Sequence, residues 1–74
     1  MQVKVKLFAT LREGREKEQL INFSDAATPA DIFEKLNIPA TEVAILFVNG
    51  RDCAFDQSLK DGDTVSIFPP VGGG

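Results

Sequence analysis

Thr28-Pro29-Ala30-Asp31-Ile32-Phe33-Glu34-Lys35-Leu36-Asn37-Ile38-Pro39 carries both ends of a helix within one short run. Thr28 stands at a capping position, Pro29 suits the first helical residue, and Asp31 sets a negative charge near the positive end of the helix dipole. Ile32, Phe33 and Leu36 form an apolar stripe at helical spacing. Asn37 tolerates the left-handed closing conformation, Ile38 can fold back onto Phe33, and Pro39 stops the helix from resuming. The spacing predicts a helix over residues 29–36. At about two turns it is too short to stand without packing.

Both flanks read as strands. Gln2 to Phe8 alternates, with Val3, Val5 and Leu7 on one face and Gln2, Lys4 and Lys6 on the other. A polar stretch centred on Gly14 follows, in which Arg12, Arg15 and Lys17 interleave with Glu13, Glu16 and Glu18 and read as a solvated loop. Leu20 to Phe23 is a second strand. Beyond the helix, Val43 to Val48 is a strand, Asn49-Gly50 is a strong hairpin turn, and a short strand returns around Cys53. Leu59 anchors a turn through Asp61-Gly62-Asp63, and Thr64 to Phe68 is the last strand. The order is strand, strand, helix, strand, short strand, strand. It predicts an α+β domain over residues 1–68, a mixed sheet of four or five strands with one helix across one face, and a separate tail over residues 69–74. The first and last strands are expected to be parallel neighbours at the centre.

The chain has 74 residues, one cysteine, no histidine and a formal net charge of −3. That size gives one small core, burying roughly 60% of the unfolded surface. Cys53 has no partner for an internal disulfide, and the composition offers no metal set. The apolar runs are too short to span a bilayer, and Met1 leads directly into a strand-like segment, so a cytoplasmic protein without a membrane partner is expected. The acidic balance speaks against nucleic acid. No nucleophile is paired with a base, and no glycine loop opens a helix to hold phosphate. The chain is not catalytic alone, and it is expected to bind no cofactor itself. Asp61 and Asp63 read as turn residues in preference to a cation site. Cys53 reads as a small buried hydrophobe.

One helix covers one face of a sheet. With Val3, Val5, Leu7, Ile21, Phe23, Leu46, Val48, Val65 and Ile67 toward the helix, Ile45, Phe47 and Phe68 must face the other way, with Phe8 near the rim. Large apolar side chains on an open sheet face mark a contact site. The chain then ends in Pro69-Pro70-Val71-Gly72-Gly73-Gly74. Two prolines favour an extended base, and three glycines offer bare backbone that can thread a narrow channel. The reactive group is the terminal carboxylate of Gly74. A free carboxylate is ionised at neutral pH and is a poor electrophile, so another protein must activate it, most simply as an acyl-adenylate made with ATP. A sulfur donor then yields a thiocarboxylate, and an amine yields an amide.

Leu7-Phe8-Ala9-Thr10-Leu11-Arg12, Val48-Asn49-Gly50, Asp61-Gly62-Asp63-Thr64-Val65-Ser66-Ile67-Phe68-Pro69-Pro70-Val71 and Gly73-Gly74 together resemble the MoaD/ThiS family of ubiquitin-like sulfur carriers. Within that family they are most similar to the small subunit of molybdopterin synthase. The resemblance covers nearly the whole chain, and Phe-Pro-Pro-Val is its most specific part. It implies a β-grasp, ubiquitin-like fold and adenylation of Gly74 by a ubiquitin-activating-like enzyme that uses ATP. It further implies conversion to a thiocarboxylate by a sulfur donor, insertion of the tail into the large catalytic subunit, and sulfur donation in molybdopterin biosynthesis. By the same resemblance Gly74 bears the sulfur, Gly73 completes the closing pair, and Phe68 with its apolar neighbours lies at the partner interface. Gly72 stands where the small synthase subunit commonly has Ala, and the triple-glycine ending resembles that of the thiamine carriers. A carrier for thiamine or another sulfur-transfer pathway, a modifier joined through Gly74 to lysines, and a plain interaction module are the competing expectations.

Overall fold

Alternation in the first strand is what organises the sheet. A computed structural model of the chain describes residues 1–70. Strand β1 (Gln2–Leu7) buries Val3, Val5 and Leu7 completely and leaves Gln2 and Lys4 exposed. Antiparallel β2 (Glu18–Asn22) pairs with it from Lys6↔Glu18 to Gln2↔Asn22, and Met1 and Phe23 exchange two further hydrogen bonds. Pairing with β1 thus carries β2 two residues upstream of the expected start at Leu20.

Helix α1 (Pro29–Leu36) has the bounds expected from its caps. The Asp31 carboxylate accepts from the Thr28 backbone N–H at 2.8 Å and from the Thr28 hydroxyl at 3.2 Å. At the other end Asn37 is left-handed (φ 58°), and Ile38 N–H donates to Phe33 C=O at 2.8 Å, closing a Schellman motif. Ile32 and Phe33 face the sheet.

Residues 40–42 form a 3-10 turn, so strand β3 (Ile45–Val48) starts two residues after Val43, which is nonetheless buried. Asn49 (φ 54°) and Gly50 (φ 82°) both take positive φ, as a type I′ turn requires, and lead into the short strand β4 (Arg51–Asp52). Strand β5 (Thr64–Phe68) completes a sheet of order β2-β1-β5-β3-β4. It lies parallel to β1 and antiparallel to β3, so the first and last strands are central neighbours as expected. One helix on a mixed five-stranded sheet is the β-grasp arrangement. No described helix is long and apolar enough to cross a membrane.

The charged stretch after β1 is more than a solvated loop. Arg15 donates from Nε to Leu36 C=O (3.1 Å), from one terminal nitrogen to Asn37 C=O (2.9 Å), and from the other to Leu11 C=O (3.3 Å). One guanidinium therefore ties the loop to the carbonyl end of α1, where a cation is favoured. Hydrogen bonds from charged donors are worth more than neutral ones, so Arg15→Ala is expected to cost about 2 kcal/mol, or roughly 10 °C in Tm. Arg15→Lys, lacking the planar fork, recovers only part of that in a thermal melt.

Candidate functional site

The sheet face opposite α1 carries the residues singled out for docking. Phe68 closes β5, Ile45 pairs with it across β3, and Phe47 lies two residues further along β3. Phe8 follows β1 directly, and Ala9 then takes a left-handed conformation (φ 54°), an unusual one for a residue with a Cβ, to start the 3-10 turn Ala9–Arg12. That corner lays the Phe8 ring flat on Phe68, with centroids 4.2 Å apart and planes at 10°. Phe47 meets Phe68 edge-on at 5.8 Å and 76°. Arg12 sits 5.3 Å above the Phe8 ring and donates from Nε to Leu7 C=O at 2.8 Å. Arginine, two stacked rings, a third ring edge-on and Ile45 thus form one continuous band.

The expected open patch is partly covered by itself. Phe8, Phe47 and Phe68 are each half-buried against one another, whereas Ile45 is 43% exposed. Leu20, on the same face of β2, is 58% exposed and was not singled out from the sequence. Arg12 was also missed, since nothing in its local charge pattern signals a ring partner.

The band ends where the tail begins. Ala44 N–H donates to Phe68 C=O (2.8 Å) and Phe8 N–H donates to Ile67 C=O (3.2 Å), so both neighbours hold the end of β5. Pro69 and Pro70 have no N–H with which to extend the ladder. Val71, Gly72, Gly73 and Gly74 lie outside the described residues.

The remaining chemical candidates are occupied by turn geometry or by burial. Asp61 accepts from Gln2 N–H at 2.7 Å. Asp63 accepts from Asn49 Nδ2 (2.9 Å) and Lys60 N–H (2.8 Å), fastening the Asn49-Gly50 turn to the start of β5. Cys53 packs against the core, and its thiol lies 3.1 Å from Ala54 C=O. Partial burial pushes that thiol above its ordinary pKa, and Asp63 and Asp56 add to the effect. A thiol held protonated is a poor nucleophile. Cys53→Ala is therefore expected to leave unchanged any sulfur the chain gains on incubation with ATP, an adenylating enzyme and a sulfur donor, as read by intact mass.

The described residues form a β-grasp domain, a ubiquitin-like fold, with its last described strand at the centre of the sheet. The ThiS family model matches residues 5–74, and the chain belongs to that family. A structure assigned as molybdopterin converting factor subunit 1 from Pyrococcus furiosus is 33% identical, with 96% of this chain and 99% of that one covered at a TM-score of 0.74. SAMP1 from Haloferax volcanii, described in a related structure as small archaeal modifier protein 1, is 27% identical over the full length of both chains, TM-score 0.76. A complex of subunits 1 and 2 of molybdopterin-converting factor from Helicobacter pylori contains a chain 25% identical over the full length of both, TM-score 0.68. The similar structures therefore include both molybdopterin converting factor subunits and small archaeal modifier proteins.

Proposed function

We propose that this chain is a ubiquitin-like carrier and modifier activated at Gly74, with the β1–β5–β3 face as its docking surface. A larger enzyme supplies the catalysis. The Gly74 carboxylate attacks the α-phosphorus of ATP, pyrophosphate leaves, and an acyl-adenylate forms. A lysine amine then displaces AMP with loss of a proton to give an isopeptide, or hydrosulfide displaces AMP with loss of a proton to give a thiocarboxylate. The observation that carries this reading is that β5, central in the sheet, ends at Phe68 within an aromatic contact band, six residues before Gly74 in the sequence. Likeness to small archaeal modifier protein 1 favours the lysine branch.

The second reading is the small, sulfur-carrying subunit of a molybdopterin synthase. It is favoured by the likeness to the Pyrococcus protein and to a chain found in complex with its second subunit. Mass spectrometry of the protein isolated from its own host separates the two. A sulfur-for-oxygen gain at the C-terminus supports the carrier, and lysine-linked conjugates support the modifier. Neither product, in cells that contain the adenylating enzyme, would overturn both.

A further inference from the structure

The chain is acidic overall, with a formal net charge of −3, yet one border of its open face is positive. Lys6, Arg12 and Lys17 converge with Phe8 on a cleft of about 220 Å³ between the end of β1, the 3-10 turn and the start of β2. Glu18 is the one acid lining it. The ion pairs among the described residues are Lys4–Glu18 at 3.8 Å and Lys6–Glu18 at 3.9 Å, so one half-exposed carboxylate serves two ammonium groups. Long, solvated pairs of that kind hold their charges weakly. Arg12 differs, since its bond to Leu7 C=O and its seat over Phe8 fix the charge beside the aromatic band. On the far side of the same face Asp52 of β4, paired in register with Phe47, places a carboxylate in that position.

We propose that this polarity orients the partner. The face fits a protein surface with an apolar centre and carboxylates set opposite Lys6, Arg12 and Lys17. The inference rests on the reading above, in which an adenylating enzyme receives the chain through this face. An acidic partner repels an acidic chain in most approaches and attracts it when the β1–β2 border leads. Charge arranged in this way acts chiefly on the association rate and on docking orientation. It fades with salt, since screening sets in over about 8 Å at physiological ionic strength.

The test compares Lys6→Glu/Lys17→Glu with Lys60→Glu/Arg51→Glu, which makes the same charge change away from this border. Association with the adenylating enzyme of the same host is followed by stopped flow at low and high salt, alongside Gly74-dependent pyrophosphate exchange. The first variant is expected to associate at least tenfold more slowly at low salt, with the gap closing at high salt, and a Glu→Lys change on the enzyme is expected to restore the rate. Equal slowing by both variants, or by neither, overturns the inference, as does a wild-type chain that fails to bind. Should the Lys6/Lys17 variant lose binding to a single-stranded oligonucleotide while enzyme association is unchanged, the border serves nucleic acid and the inference falls. Wild-type association that follows the expected pattern without any pyrophosphate exchange keeps the orientation and removes Gly74 activation instead.

Discussion

Deletion of Gly74 is expected to reduce pyrophosphate exchange, thiocarboxylate formation and lysine conjugation to background while the thermal melt stays within about a degree of wild type. The asymmetry follows from where each property resides. The buried core among the described residues ends at Ile67, so cutting Gly74 removes none of its side chains. The truncated chain still ends in a glycine carboxylate, that of Gly73, but one residue short, so in the proposed reaction its loss of activity reports reach into the active site. Amidation of Gly74 should reproduce the loss without changing length, which separates the need for the carboxylate from the need for reach. Gly73→Phe keeps the carboxylate but adds bulk where missing Cβ atoms matter, and it is expected to depress turnover strongly. A truncated chain that still acquires sulfur, measured by intact mass, would refute Gly74 as the carrier atom's seat.

Phe47→Asp is expected to weaken partner binding roughly 30-fold or more, the scale of an interface hot spot of about 2 kcal/mol. Its cost to the free domain should be far smaller than the about 3–5 kcal/mol of truncating a fully buried ring. The ring is half-buried and meets Phe68 only edge-on, a contact of about 1 kcal/mol. Phe68 is the informative contrast, because it holds both the stacked Phe8 and the edge of Phe47, so Phe68→Ala should lose stability as well as binding. Calorimetric titration and thermal melts on the same samples read both quantities. If Phe47→Ala unfolds the free domain, the ring belongs to the core and this docking face is wrong.

Local rules made much of this fold legible. The bounds of α1 follow from Thr28, Pro29, Asp31, Asn37 and Pro39, each acting within a few residues of itself. The buried parity of β1, β3 and β5 follows from strict alternation, and Asn49-Gly50 specifies its own turn. What escaped were contacts made across the chain. Arg15 finds its acceptors at Leu36 and Asn37, far away in sequence, and a mixed run of charges gives no hint of that. The stacking of Phe8 on Phe68 depends on a left-handed alanine, which no propensity favours. The apolar side chains of the open face were therefore recognisable from alternation, while their mutual shielding and the charged border were not.

The place of β5 in the sheet also sets the order in which the molecule can assemble. Lys4 lies beside Thr64, and the strand that joins β1–β2 to β3–β4 is the last of the described strands in sequence. Before Phe68 is available, the two hairpins have no common partner, and closing so long a loop is the slow, entropically costly part of folding. Completion of the core therefore waits for the last of the described strands. A chain cut short before Phe68 lacks the strand on which both hairpins and the Phe8–Phe68–Phe47 ring contacts depend.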